Sequence, residues 1–153
     1  MRTSHSRAAA VAGILILSLA AGAALAATGA QFVQVRRGLF GEMSDALRFA
    51  ADLWRDPAAY GDVAQSATII RRDAMNMSKL FPQGSSASDG LRTAALDSVW
   101  SERAGFERLA NQLADEAGGL AAITRATPSS EVRQQLVAIV ATCKACHRDY
   151  RAP

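Results

Sequence analysis

The residues most able to do chemistry lie together near the end of the chain, in the segment Cys143-Lys144-Ala145-Cys146-His147. This segment contains both cysteines of the chain and one of its two histidines. On a helix, residues three and four apart share a face, so Cys143, Cys146 and His147 would present their side chains together. A Cys-x-x-Cys-His segment attaches haem through two thioethers, and its histidine binds the iron. The sequence therefore predicts one covalently bound haem c.

The first 26 residues have the layout of a secretory signal. Two basic residues, Arg2 and Arg7, precede an apolar run of 19 residues, 8–26, that ends in the small-residue sequence Ala-Leu-Ala. An uncleaved anchor is the alternative, because a run of this length can span a bilayer. The small-residue ending and the alanine-rich run favour cleavage, because alanine-rich helices insert weakly. We therefore expect an exported protein of the periplasm.

Removal of the signal leaves one domain, residues 27–153, whose single histidine is His147. Its formal charge falls from +3 to +1, because two of the 17 basic residues and none of the 14 acidic residues lie in the signal. A charge this small indicates neither a nucleic-acid partner nor a basic membrane patch. A chain of this length is typical of one domain with its own core.

Three other chemistries compete for the cysteine pair. A disulfide would close a very short loop, which constrains the chain little and fits a helix poorly. A redox-active dithiol usually lies at a helix start after a strand, whereas this pair lies near the end of a predicted helix. A structural zinc site normally needs four protein ligands, and the domain offers Cys143, Cys146 and His147. Haem attachment is the preferred interpretation.

Four helices must position this segment, because apolar residues recur at three and four positions throughout the domain and no stretch alternates like a strand. In the first helix we expect Val35, Leu39 and Met43 to face the core. Asp56 is a suitable cap and Pro57 a suitable first residue for the second helix. The helices are expected at about 32–54, 57–81, 97–120 and 131–150.

The connections indicate how these helices pack. Residues 82–92 are rich in glycine and serine and read as a surface loop, and Thr127-Pro128 breaks the chain before the last helix. Helices of this length with mostly short connections predict an all-α, antiparallel up-down-up-down four-helix bundle. We expect the haem to lie near the C-terminal helix, between facing helices.

Several spaced features accompany the haem motif. They are Arg36 four residues before Phe40, Pro57-Ala58-Ala59-Tyr60, Leu80-Phe81-Pro82, the stretch 94–100 with Phe106, and the ending Cys-Lys-Ala-Cys-His-Arg-Asp-Tyr-Arg. With these features, residues 31–153 resemble the class II cytochromes c, the cytochrome c′ group. The position of the motif, in the last turns of the last helix, is part of this resemblance.

The resemblance implies roles for residues of the first helix. In the family, this helix meets the distal face of the haem, with a methionine ligand in low-spin members and a bulky non-ligating side chain in typical cytochromes c′. The corresponding residue is Phe40, which implies five-coordinate, high-spin iron. The alternative is Met43 as a sixth ligand, since it lies three residues further along the helix. Met43 would otherwise be ordinary core packing.

Three basic residues are also assigned through the resemblance. Arg36 corresponds to an arginine that family members place near a haem propionate, where a planar charged fork suits a carboxylate. Its alternative is a solvent-exposed charge. Arg151, four residues after His147, corresponds to the basic residue beside the proximal haem face. Lys144 lies either near the haem edge or in solvent.

A haem in an exported bundle of this kind supports two functions. One is the transfer of single electrons to a redox partner protein that the sequence does not identify. The other is binding of nitric oxide or carbon monoxide at the vacant face, with Phe40 as a steric gate. A peroxidase-like enzyme would need a distal acid–base group, and no second histidine lies outside the signal. We therefore expect no enzyme. Family members often form antiparallel homodimers through the first two helices, so the resemblance implies that assembly too.

Overall fold

The described chain is built from helices joined by tight turns. The structure is a computed structural model that describes residues 28–153, so the predicted signal lies outside the described residues. The elements are α1 (Gly29–Leu53), a 3₁₀ turn (Pro57–Ala59), α2 (Tyr60–Met77), a 3₁₀ turn (Ser78–Leu80), α3 (Ser98–Ser101), α4 (Arg103–Ala121) and α5 (Ser129–Tyr150). Between residues 28 and 153 there is no strand, although an isolated antiparallel bridge pairs Ala95 with Arg151.

The ends of the first two helices follow from their capping residues. Helix α1 begins three residues before the predicted Phe32, because Thr28 and Gln31 form a capping box in which each side chain accepts a hydrogen bond from the other residue's backbone N–H. Asp56 accepts a 2.9 Å hydrogen bond from the backbone N–H of Ala58, as expected of a cap. The first turn after Asp56 is a 3₁₀ turn, and the α-helical geometry begins at Tyr60.

The third predicted helix is broken in the structure. Glu102 has φ −114° and ψ 40°, which separates α3 from α4 and contradicts the prediction of one helix over 97–120. The break is accompanied by two long-range interactions. The indole Nε1 of Trp100 donates to the Pro82 carbonyl at 2.9 Å, and Arg103 donates to the Phe81 carbonyl at 3.0 Å. The local apolar pattern did not predict these contacts with Phe81 and Pro82.

Consecutive long helices pack on each other, α1 on α2, α2 on α4 and α4 on α5. The predicted four-helix bundle is therefore confirmed. The apolar residues that recur at three and four positions along the second predicted helix are all buried, namely Val63, Ala67, Ile70, Ala74, Met77 and Phe81. The largest fully buried apolar side chains of the core are Tyr60, Phe106, Ile70, Leu120, Ile139, Val63, Val99 and Val132.

The inward face of α1 differs from the predicted face at one position. Val35 is 53% exposed, whereas its neighbour Arg36 is 3% exposed. The prediction that Val35 faces the core is therefore wrong, and so is the alternative that Arg36 is a solvent-exposed charge. Met43 is buried as predicted, and Leu39 is partly buried. The apolar pattern placed Val35 inward because periodicity gives no sign that a charged neighbour is buried against distant partners.

Among residues 28–153, the helices lack the combination of length and apolar character that crossing a bilayer requires.

Candidate haem-binding site

A cavity of about 580 Å³ lies between α1 and α5. Helix α1 packs on α2 and α5 packs on α4, whereas α1 and α5 are not in extensive contact with each other, and the cavity lies between them. Volumes of this size are typical of small-molecule and cofactor sites. Further walls are formed by α2, α4 and the segment 93–95. The apolar lining residues include Val33, Leu47, Ile70, Met77, Phe81, Val99, Phe106, Leu113 and Ile139.

One wall carries the predicted attachment residues. Cys143, Cys146 and His147 all line the cavity from the last turns of α5, as their three- and four-residue spacing on one helical face predicts. Both thiols are free and partly buried, and His147 is exposed at the edge of the cavity. The structure therefore brings the two thiols and the imidazole together on the surface that faces α1.

The cavity changes the ionisation of these groups. Burial raises the pKa of Cys146 to about 11, and burial followed by the charge of Glu116 raises the pKa of Cys143. Both thiols are therefore protonated at neutral pH, whereas redox-active dithiols have a lowered pKa. Desolvation by the cavity wall, and then the charge of Arg151, lower the pKa of His147. Its imidazole is consequently neutral near pH 7, which is the form that binds metal.

Two sets of hydrogen bonds fix the end of α5. Thr142, next to Cys143, is 3% exposed and donates to the Glu116 carboxylate of α4 at 3.0 Å. Beyond His147, the helix is attached to the segment 94–98. The backbone N–H of Leu96 donates to the Tyr150 carbonyl at 3.0 Å, and the N–H of Ala152 donates to the Ala94 carbonyl at 2.8 Å. The cysteines and the histidine thus lie on a helix end that is anchored on both sides.

The opposite wall is formed by α1 and contains both candidates for the distal position. Phe40 lines the cavity and is partly buried, with its ring centroid 6.4 Å from that of Phe81. Met43 also lines the cavity and is 8% exposed. Residues three apart on a helix lie on the same side, so both can face α5. The wall geometry therefore leaves both residues available to the distal side.

Arg36 is a buried residue of the same wall. Its Nη2 donates to the Ser85 carbonyl at 2.8 Å, and its Nη1 donates to the Ser85 hydroxyl at 3.2 Å. Longer hydrogen bonds reach the Leu80 carbonyl at 3.5 Å and the Thr93 hydroxyl at 3.4 Å. Burial and the neighbouring Arg37 lower the pKa of Arg36. The guanidinium remains charged at neutral pH, because an arginine side chain is protonated throughout the physiological range.

The charges around the cavity suit an anionic cofactor. Its lining contains three arginines, Arg36, Arg37 and Arg151, and no aspartate or glutamate. None of the three forms a salt bridge with a carboxylate in the described part of the chain. A c-type haem has a large apolar ring and two propionates, which match an apolar cavity with unneutralised arginines. Together with the thiols and the imidazole, these residues fit the predicted haem.

The structure also shows lining residues that the sequence argument did not assign. Arg37 is exposed at the rim, and its Nη2 donates to the Arg92 carbonyl at 2.7 Å. The segment 93–95 reaches the cavity through its hydrogen bonds to the end of α5. No local sequence signal places the segment 93–95 at the cavity. For Arg37 there was a hint, because Arg36 and Arg37 form an adjacent basic pair on a mainly apolar helix. Lys144 is exposed and lies outside the lining.

A four-helix bundle whose last helix ends in a Cys-x-x-Cys-His segment defines the class of bundle cytochromes c. A family model described as Cytochrome C′ matches residues 31–151. The chain therefore belongs to the cytochrome c′ family, and the predicted resemblance is confirmed. Members of this family bind one covalent c-type haem, so the predicted cofactor, haem c, is confirmed as well.

Relatives of known sequence and structure agree with this membership. The chain is 28% identical to cytochrome c′ of Rhodopseudomonas palustris over 148 residues, which is 95% of this chain and 96% of the relative. Cytochrome c′ from Thermochromatium tepidum superposes with a TM-score of 0.73 at 21% identity, covering 83% of this chain and 98% of that chain. A nitric oxide complex of a mutant cytochrome c′ from Alcaligenes xylosoxidans superposes with a TM-score of 0.70 at 20% identity, with coverage of 83% and 98%.

Proposed function

We propose that this protein is an exported, periplasmic mono-haem cytochrome that carries single electrons and does not act as an enzyme. Cys143 and Cys146 hold the haem, and His147 binds its iron. The observation that carries the proposal is the cavity between α1 and α5, which has both thiols and the imidazole on one wall and no acidic lining residue. When bound, the haem supplies a one-electron redox centre and an iron that accepts a diatomic ligand.

The chain's own residues determine how that centre would be used. Arg37 and Arg151 line the cavity and are both exposed, so the cavity reaches the protein surface. Electron transfer requires such access but no acid–base group. Arg36 and Arg151 are proposed to lie near the haem, where their charges favour its anionic groups. The predicted signal supports export, and mass spectrometry of the secreted protein tests cleavage near residue 26.

We further propose that the iron is five-coordinate, with Phe40 packed over its free side. Phe40 lines the wall opposite His147, and a phenyl ring has no lone pair to donate to iron. This arrangement supports a second function, the binding of nitric oxide or carbon monoxide, in which Phe40 must move aside. The nitric oxide complex of the Alcaligenes xylosoxidans relative favours this candidate. The rival arrangement uses Met43 as the sixth ligand and leaves electron transfer alone.

Visible spectroscopy of the haem-loaded protein separates these arrangements. Spectra are recorded in the oxidised and dithionite-reduced forms, with and without carbon monoxide, for wild type and Met43→Leu. The matched control is Met77→Leu, which changes another buried methionine of the cavity wall on α2. Broad high-spin bands that respond to carbon monoxide, unchanged in Met43→Leu, are expected. Narrow low-spin bands in wild type that are lost in Met43→Leu but kept in Met77→Leu would establish Met43 as the ligand instead.

The first two helices also offer a surface for self-association. Val35 and Phe49 are each 53% exposed on α1, and a groove of about 740 Å³ between α1 and α2 is lined by Phe49 and Ile69. We propose that this face forms an antiparallel homodimer. One structural relative, with a TM-score of 0.74, is a cytochrome c′ with ligand-controlled dimer dissociation. Sedimentation of wild type, Phe49→Glu and the control Val137→Glu tests the proposal, and a monomeric wild type would contradict it.

A further inference from the structure

The cavity wall beside Phe40 contains an aromatic residue that the proposed function does not yet use. Phe81 follows the second 3₁₀ turn, is 4% exposed and lines the cavity. Its ring centroid lies 5.0 Å from that of Phe106, 5.8 Å from that of Trp100 and 6.4 Å from that of Phe40. Among the ring pairs of residues 28–153, Phe81 is the partner of Phe40. A movement of Phe40 toward Phe81 therefore meets that ring.

Phe81 is held from several directions. The Arg36 guanidinium lies over its ring, 4.4 Å from the centroid. The backbone carbonyl of Phe81 accepts a 3.0 Å hydrogen bond from Arg103, and the carbonyl of the next residue, Pro82, accepts a 2.9 Å bond from Trp100. With its ring enclosed and its backbone anchored, Phe81 has little room to yield. A ring packed this tightly resists displacement, so it also opposes movement of the side chain packed against it.

Arg36 is itself held by hydrogen bonds to the segment 80–93. A guanidinium has five N–H donors. Four of them are directed at oxygens of Leu80, Ser85 and Thr93, which leaves the Nε–H without an acceptor among residues 28–153. Within that part of the chain, Arg36 therefore has one donor left for a haem propionate unless a bond to the loop is broken. Its main structural effect is to hold the loop and, through its stacking contact, the ring of Phe81.

We propose that Phe81 determines how readily Phe40 moves aside for a diatomic ligand, and that Arg36 is the positioning residue that holds Phe81. The inference rests on the proposed function, because it requires Phe40 to lie over the free side of the iron. A smaller residue at position 81 leaves space beside Phe40 and lowers the cost of displacing Phe40 toward it. Ligand entry then becomes faster without any change to residues that contact the iron.

The test measures the carbon monoxide association rate of the reduced, haem-loaded protein. Phe81→Leu is expected to raise the rate by about two- to thirteenfold, the range that corresponds to loss of one aromatic pair. The matched control is Phe32→Leu, because Phe32 is partly buried on α1 but does not line the cavity. Its rate should equal that of wild type. In a Phe40→Ala background, Phe81→Leu should have no further effect, because its influence acts through Phe40.

A second measurement reports on Phe40 directly. In the diamagnetic carbon monoxide complex, NMR of a ring-labelled Phe40 should show faster ring flips in Phe81→Leu than in wild type or Phe32→Leu. If Phe81→Leu fails to fold, Arg36→Lys takes its place. It should also raise the association rate in wild type and have no effect in the Phe40→Ala background.

The outcomes separate the two proposals. A wild type whose spectrum is insensitive to carbon monoxide overturns five-coordination and this inference with it. A wild type that binds carbon monoxide, with equal rates in Phe81→Leu and Phe32→Leu, overturns the inference and leaves the proposed function intact. An effect of Phe81→Leu that persists in the Phe40→Ala background also overturns it, because the influence would then not pass through Phe40.

Discussion

Replacement of Arg36 by lysine is expected to destabilise the folded protein by about 1–3 kcal/mol, which is the loss of two net hydrogen bonds at roughly 0.5–1.5 kcal/mol each. The two shorter bonds of Arg36, at 2.8 and 3.2 Å, both end on Ser85. Ser85 is 0% exposed, so water does not replace a lost donor. A lysine ammonium keeps the charge but lacks the planar fork that reaches the loop oxygens together. The bonds at 3.4 and 3.5 Å are long and add little.

The assay is urea unfolding of the haem-loaded protein, followed by circular dichroism and analysed as a two-state transition. Arg37→Lys is the matched control, because Arg37 is the next residue on α1 but is exposed, and its one hydrogen bond within residues 28–153 ends on the Arg92 carbonyl. The control is expected to change the free energy of unfolding by less than about 1 kcal/mol. Equal losses in Arg36→Lys and Arg37→Lys would refute the argument that the buried fork holds the loop.

Three further predictions concern the core, a loop and the haem attachment. Leu120→Ala should lower the free energy of unfolding by about 2–5 kcal/mol, because Leu120 is 0% exposed, whereas Val137→Ala, at a position 55% exposed, should change it by less than about 0.5 kcal/mol in thermal unfolding. Hydrogen bonds from Ser86 lower the pKa of Asp89, so its stabilising effect is present above the unfolded pKa of about 4 and is lost as the pH falls. Asp89→Asn should therefore be destabilising at about pH 7 and less so at about pH 2, because protonation of wild-type Asp89 removes the carboxylate that Ser86 stabilises. An equal loss at both pH values would contradict this. Replacing both motif cysteines with alanine should abolish haem staining of the chain on a denaturing gel, and retained staining would contradict thioether attachment.

The residues that would attach the haem and the residues that would control access of a ligand lie on different helices. The thiols and the imidazole lie on α5, whose end is anchored by Thr142 and by the segment 94–98. The wall that would gate a ligand lies on α1, where the ring of Phe40 packs against that of Phe81. Substitutions on the two walls should therefore affect different measurements. Substitutions at the end of α5 should alter haem retention, and substitutions at Phe40 or Phe81 should alter ligand kinetics.

The sequence alone determined those features that depend on local spacing. The haem motif is defined by five adjacent residues, and its placement on one helical face follows from the three- and four-residue separation of Cys143, Cys146 and His147. The turn at Asp56-Pro57 was also predictable, because capping and the fixed φ of proline act within a few residues. The buried stripe of α2 followed from its regular apolar period.

The tertiary structure decided what depends on distant partners. Arg36 is buried because the residues that accept its hydrogen bonds fold back onto α1. These acceptors lie 44, 49 and 57 residues further along the chain, so no local pattern reveals their position. The break at Glu102 likewise coincides with side-chain hydrogen bonds to the carbonyls of Phe81 and Pro82. The sequence left Phe40 and Met43 as rivals, and both line the cavity, so the choice depends on side-chain packing over the iron. Local periodicity placed these residues on the correct helix, but the neighbours that fix Phe40 are brought to it by the fold.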